Sequence, residues 1–414
     1  MNQHAVAITG YGAVSPLGPD AATFIARSTR GDSGVVPITT FDTTGLETRF
    51  AGMVAENDEQ LAGGDRRLAK RKDRFVLLAL RAAHEAMAHA GFAPSAWADP
   101  YRVGIVIGTG IGGISTLSRE YQTLAQRGPE RVSPFLIPRM IGNMASGDVA
   151  LAVGAKGPTW TLATACATGA SAIHAASLLI RSGAADVVLA GGTESATCPI
   201  TIAGFNAIGA LSRRNDSPAT ASRPFDRNRD GFVLGEGAGV LVLESLAHAR
   251  ARGKEPLALL GGCGSTDDAY HETTPDPSGV SLATTVRLAL ADAGLPAESI
   301  GYVNAHGTST SLNDSTEAVA LRRAFGHHLD AVWVSSTKSM IGHTMGAAGA
   351  LEAIATIAAL RSGILPPTIN LDDPDPACDL RHVARHAVEA SLSAAISLNM
   401  GFGGHNGCLV FTRS

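Results

Sequence analysis

Hydrophobic positions along this chain switch between two spacings. Short apolar runs read as strands at 5–9, 102–110, 160–164, 299–307 and 394–398, whereas apolar positions recurring every three to four residues predict helices at 75–91, from about 167 to Gly183, and at 281–294. Gly91 and Gly183 stand where a residue free to adopt positive φ commonly ends a helix. Residues 10–18 form a turn region, and the polar stretch from there to Asp65 shows little periodicity. Strands that alternate with helices point to an α/β fold.

A weak internal repeat sharpens that picture. Residues 164–183 align without gaps on 344–363, with Thr164 on Thr344, Ala170 on Ala350 and the closing Arg181-Ser182-Gly183 on Arg361-Ser362-Gly363, an offset of 180 residues. A second pair runs in the same order: helix 75–91 and strand 102–110 against helix 281–294 and strand 299–307. Two copies of one α/β unit are expected, each a sheet with helices packed over it, with their loops meeting near a pseudo-twofold axis. The division falls between 1–255, which carries a cysteine at the junction, and 256–414, in which Gly346 takes that position.

Composition narrows the class. At 414 residues, 45% hydrophobic and 17% charged with 47 glycines, the chain suits a compact two-unit enzyme. A net charge of only −4 gives no global attraction to nucleic acid or anionic lipid. The five cysteines are widely spaced, with no CxxC pair and no zinc spacing, which fits a reducing compartment. There is no signal-like leader and no apolar run of membrane-spanning length, so a soluble cytoplasmic protein is expected. Locally, Arg66, Arg67, Lys70, Arg71, Lys72 and Arg74 form a basic cluster, either a solvated helix face or a docking patch for an acidic partner.

Four glycine-flanked turns at strand ends carry the candidate chemistry. In TACATG, Cys166 sits between a strand and a helix, where unpaired N–H groups and the helix dipole would favour thiolate and small neighbours would let a substrate approach. NAHGTST supplies His306, STKSMIGH supplies Lys338 and His343, and NMGFGGHNG is a glycine-rich turn. The run GTGIGG at 108–113 formally satisfies GxGxxG, but it does not open a βαβ unit and no acidic residue ends a following strand, so room for a close substrate or backbone explains its glycines better than a dinucleotide site does. A cysteine protease needs one histidine, leaving a second surplus. Two imidazole donors are wanted where an enolate oxygen develops, as in decarboxylation.

These motifs, with RPFDRNRDGFVLGEGAG at 223–239 and GFGGHN at 401–406, resemble those of the elongating β-ketoacyl-acyl-carrier-protein synthases, the synthase I/II group of the thiolase-like condensing enzymes, over essentially the whole chain. The resemblance implies the thiolase-like fold, a duplicated α/β unit in five layers. It implies that Cys166 accepts an acyl chain as thioester and that His306 and His343 promote decarboxylation of malonyl carrier protein. The backbone amides of Cys166 and Phe402 would form the oxyanion hole. Lys338 would hold a charge network with Glu352, and Thr308 and Thr310 would bind the phosphopantetheine arm, which arrives on the carrier protein rather than as a bound cofactor. Ile111, Phe135, Met400 and Phe402 would line and gate the acyl pocket, with a partner subunit contributing to its floor near Phe135 and Leu136.

The basic cluster from Arg66 to Arg74, with Arg127, Arg131, Arg213 and Arg214, would receive the acidic acyl carrier protein. One departure stands out: where the common fatty-acid enzyme reads SNSFGFGG, this chain has Leu398 for an asparagine and Met400 for an aromatic, which suggests an altered acyl preference. Three assignments follow: a homodimeric fatty-acid condensing enzyme, the ketosynthase subunit of a dissociated polyketide system paired with a chain-length factor, or that non-catalytic partner itself. Cys166 argues against the last, since such partners resemble this family but have lost the cysteine.

Overall fold

The computed structural model describes residues 5–414. Eleven strands lie in one sheet that is pinched at its centre, where Val6–Val14 and Ala258–Asp267 share only three residue pairs. Outward from the pinch, the first half runs through Gly237–Ser245, Val187–Glu194, Val103–Gly108 and Thr159–Trp160. The second half runs through His405–Thr412, Ala394–Gly401, Ile300–Asn304 and Trp333–Ser335, and ends on Arg381–His382. Strand directions correspond position by position on the two sides. The arrangement is the thiolase-like duplication.

Five layers result because the apolar faces have different widths. Thr168–Arg181 and Ala348–Ser362 lie between the two half-sheets, packed on each other and on strands of both. The sequence of the second, AGALEAIATIAALRS, is apolar nearly all round, so all but three of its fifteen residues are buried, as a helix with sheet on both sides requires. Arg74–Ala90 covers the outside of the first half and Val280–Ala293 the outside of the second.

The central helices cross through glycine. A Cβ on Gly169 would stand 2.6 Å from the Ala350 nitrogen, and one on Gly349 would stand 2.5 Å from the Ala170 nitrogen. These reciprocal contacts repeat the 180-residue offset and put the pseudo-twofold axis between the two helices. Because the obstacle is backbone, Gly169→Ala should cost about 3 kcal/mol. A urea midpoint equal to the wild type's would show that the helices can part.

Two expectations need correction. The strand expected at 160–164 is only Thr159–Trp160, because Ser146 Oγ donates to the Trp160 carbonyl at 2.5 Å and accepts from Thr161 Oγ1 at 2.9 Å, turning the chain away from the sheet. The polar stretch before Asp65 contains the helix Ala21–Arg30, capped by the Asp20 carboxylate accepting from Thr23 N. That helix buries only Ala21, Phe24 and Ser28, too narrow a stripe to register as periodicity. It also holds the two-stranded pair Val35–Pro37 and Phe50–Gly52.

Candidate active site

Cys166 is carried on a strained elbow. Ala165 has φ +47°, a left-handed conformation that costs an alanine roughly 1 kcal/mol or more. The elbow is tied at both ends: Thr164 N donates to Thr168 Oγ1 at 2.8 Å and Ala167 N to the Thr164 carbonyl at 3.0 Å. The second copy repeats the strain, with Met345 at φ +50° before Gly346.

The structure revises the electrostatics expected at the cysteine. The helix begins at Thr168 with Ala167 as its N-cap, so the thiol lies one residue outside it. Burial pushes the Cys166 thiol up to about 12; Lys338 and the Phe402 N–H, which donates to the sulfur, pull the other way without offsetting it. The resting form is therefore thiol, not thiolate. Alkylation by iodoacetamide should be slow at neutral pH and rise about tenfold per pH unit through pH 10; a plateau near pH 7 would mean a preformed thiolate.

The second half supplies the histidines. His306 follows the strand Ile300–Asn304, and its loop is held by the buried Glu317 carboxyl group, whose oxygens accept from His306 N at 2.6 Å and Gly307 N at 2.8 Å. Burial raises Glu317 to about 8. The two imidazoles stand edge to face with centroids 5.2 Å apart, and burial first, then Lys338, holds both well below the usual histidine range, so both are neutral. Lys338 Nζ donates to His306 Nδ1 at 3.3 Å, and Met345 N donates to His343 Nδ1 at 3.3 Å. Each Nδ1 is thus an acceptor, which assigns the proton to Nε2 in both rings. The buried His343 Nε2 has no partner within the protein, leaving a donor available to a substrate.

Behind the histidines lies a buried charge chain. Lys338 Nζ bonds the Glu352 carboxylate, whose other oxygen accepts from Asn399 Nδ2 at 2.6 Å. Asn399 was not singled out from sequence; its alternation within the strand Ala394–Gly401, facing the central helix, was the available signal.

A cavity of about 350 Å³ joins these groups. Cys166, His306, His343, Met400 and Phe402 line it, with Thr308 and Thr310 toward the mouth, their hydroxyls 3.0 Å apart. Phe205, Ile208, Phe232 and Met345 add an apolar wall. The turn bearing Phe402 is anchored by Gly403 N donating to the Glu272 carbonyl at 2.7 Å. Ile111 and Phe135, expected in a pocket whose floor a partner subunit completes, do not line this cavity in the single chain and are 39% and 40% exposed, with Phe135 under the Arg71 guanidinium.

The basic cluster also divides. Arg66, Arg67, Lys70 and Arg71 are exposed on the short helix Arg66–Arg71. Lys72 and Arg74 turn inward: Lys72 pairs with Asp148 at 2.6 Å, and Arg74 pairs with Asp58 and with buried Glu236, both at 2.9 Å. They secure the fold, because Lys72 follows the short helix in extended backbone and Arg74 opens the next helix, Arg74–Ala90, so neither shares the face of the other four. Of the further arginines, Arg127 and Arg131 are exposed, whereas Arg213 pairs with Glu47 and Arg214 with Asp230.

Comparison with known proteins agrees with this geometry. Residues 3–249 match the family model "Beta-ketoacyl synthase, N-terminal domain" and 257–372 match "Beta-ketoacyl synthase, C-terminal domain". A "3-oxoacyl-[acyl-carrier-protein] synthase 2" from Synechocystis sp. is 45% identical over 99% of this chain and 98% of its own. One from Coxiella burnetii is 45% identical over 100% and 99%. Among solved structures, "The ishigamide ketosynthase/chain length factor" superposes with a TM-score of 0.91 at 34% identity, covering 99% of both chains. A type II polyketide synthase acyl-carrier protein in complex with its ketosynthase, AntDE:AntF, gives 0.90 at 32%, again over 99% of both. With two family models spanning most of its length and relatives this similar from end to end, the chain belongs to the beta-ketoacyl synthase family of acyl-transferring condensing enzymes.

Proposed function

We propose that this protein catalyses decarboxylative condensation of malonyl carrier protein with an acyl chain held on Cys166, in fatty acid elongation. The observation that carries the reading is a single cavity in which a buried thiol faces a backbone amide on one side and two neutral imidazoles with Nε2–H on the other. In the first half-reaction Cys166 Sγ attacks the acyl thioester. The amides of Cys166 and Phe402 stabilise the tetrahedral oxyanion, and the carrier's pantetheine thiol leaves with the proton that Cys166 gives up. In the second, malonyl carrier protein enters past Thr308 and Thr310 and loses carbon dioxide. His306 and His343 donate to the enolate oxygen, and the carbanion attacks the Cys166 thioester. The β-ketoacyl carrier product departs and Cys166 regains a proton. Lys338, fixed by Glu352, keeps His306 in the required tautomer. The reading assigns no metal and no resident cofactor.

Support for fatty acid elongation is the 43–45% identity to synthase 2 relatives. Polyketide extension with a chain-length-factor partner is the second reading, favoured by the ketosynthase structures and by Met400 at the gate. In either case a second subunit would cover the exposed edge strand Thr159–Trp160 and the exposed Phe135 and Ile137, and would bring Ile111 and Phe135 into the acyl pocket. The units of the duplication are taken as 1–255 and 256–414. Among the described residues no helix is long and apolar enough to cross a membrane, and all five cysteines are free and buried, in keeping with work in the cytoplasm.

The test is incubation with malonyl carrier protein and acyl carrier proteins of several chain lengths, followed by product mass. A β-ketoacyl product two carbons longer is expected from saturated chains. Turnover only with poly-β-keto primers, and only when a second subunit is co-expressed, would transfer the enzyme to polyketide extension. For docking, Arg67→Glu with Arg71→Glu should raise the KM for carrier protein about tenfold or more and leave kcat little changed; an unchanged KM would remove this helix from the docking surface.

A further inference from the structure

The two elbows are built alike but hold different things, and the difference lies in one pair of residues. Val187–Glu194 and Ala394–Gly401 occupy the same place in their half-sheets, third from the central pinch; both are eight residues long and both pair antiparallel with the strand nearer the pinch. Their last residues, Glu194 and Gly401, therefore correspond. A Cβ on Gly401 would lie 2.6 Å from the Thr164 carbonyl oxygen and 3.1 Å from Cys166 N, so any side chain there would enter the nucleophile's elbow. At the second copy's elbow such a side chain is present, supplied by Glu194 of the first copy.

Glu194 is fully buried and reaches the elbow at Gly346, whose N–H donates to Glu194 Oε2 at 3.1 Å. The same oxygen accepts from Gly110 N at 2.8 Å, and Oε1 accepts from Thr109 Oγ1 at 2.8 Å and from the amides of Ile111 and Gly112 at 3.3 Å. Four of the five partners are backbone amides, which can only donate, so the geometry favours the carboxylate and opposes the burial that pushes the group toward its neutral form. The fit leaves no spare room: a Cβ on Gly346 would sit 2.8 Å from Glu194 Oε2 and 2.5 Å from Gly110 N, which bars a cysteine from this elbow.

We infer that the elbow at Gly346 is an anion hole permanently filled by the protein's own Glu194 carboxylate. The hole at Cys166 is kept open for substrate because Gly401 has no side chain to fill it. Glu194 is a positioning residue in this assignment. It fastens the 109–112 loop to the Met345–Gly346 elbow, and Met345 in turn lines the catalytic cavity. The site would accept a small monocarboxylate if emptied. This inference stands apart from the condensation reading, since it is tested on protein without substrate.

The experiment is thermal unfolding of wild type, Glu194→Gly and Glu194→Gln in sodium formate, sodium acetate and sodium chloride at matched ionic strength. In chloride, Glu194→Gly should lose about 5 °C or more, because several buried N–H groups are left unpaired. Formate should restore a substantial part of that loss in Glu194→Gly alone, and wild type should respond equally to formate and chloride. If Glu194→Gly does not fold in chloride, refolding yield in formate against chloride reads the same effect. Glu194→Gln, which keeps the volume but turns an N–H donor toward other donors, should be destabilised and unrescued. A formate response equal in wild type and Glu194→Gly, no response in Glu194→Gly in either assay, or a Glu194→Gln variant as stable as wild type would each overturn the inference.

Discussion

Cys166→Ala should gain no mass when incubated with acyl carrier proteins that acylate the wild type, and condensation should fall by at least about a thousandfold. The expectation rests on geometry. Cys166 is the one free cysteine that lines the catalytic cavity, and the Phe402 amide already points at its sulfur. The other four are buried elsewhere; Cys408 and Cys263, for example, lie in packed strands with their thiols pushed up by burial. Intact mass spectrometry decides the matter, with peptide mapping to locate the acyl group. Equal acylation of wild type and Cys166→Ala would remove the covalent intermediate.

His343→Ala should separate the two half-reactions. Losing one donor to a developing oxyanion typically costs about a hundredfold to a thousandfold in kcat. Decarboxylation of malonyl carrier protein should therefore collapse by that amount while Cys166 is still acylated to completion. His306→Ala should behave likewise, with an added loss because Lys338 would face an empty site. Both rings are held neutral well below the ordinary histidine range, so decarboxylation should be flat between about pH 6 and 8 and fall only at more acidic pH, where a proton on His306 Nδ1 would break the bond from Lys338. A wild-type decarboxylation rate in His343→Ala, or a profile that drops through pH 6.5, would show that the imidazoles are not the donors.

The elements that carry chemistry were legible in the sequence because strand-end glycines and single reactive side chains mark them. TACATG, NAHGTST, STKSMIGH and GFGGHN converge on one cavity, and the repeat at offset 180 is realised atom by atom in the crossing of Gly169 and Gly349. What could not be read depends on contacts between distant segments. Glu194, Glu317 and Asn399 each act on loops or side chains brought together only by the fold, and none stands in a motif of its own. Lys72 and Arg74 look like their four basic neighbours until Asp148 and Glu236 appear beside them. The thiol's acidity is not legible there either, because sequence shows a nearby helix but not how dry the site is. At Cys166, desolvation outweighs Lys338 and the Phe402 amide together.

The place of the last strand has a consequence for biosynthesis. His405–Thr412 sits between Ala394–Gly401 and Ala258–Asp267, close to the middle of the sheet rather than at its rim. A ribosome delivers it after both of those neighbours, so until His405–Thr412 emerges the nascent polypeptide carries two unpaired strand edges. The two half-sheets therefore cannot be completed before that strand is made, and the growing chain is a natural client for holding chaperones. A stop codon anywhere before His405 would leave a product whose half-sheet is split between Ala258–Asp267 and Ala394–Gly401 rather than a slightly shortened enzyme.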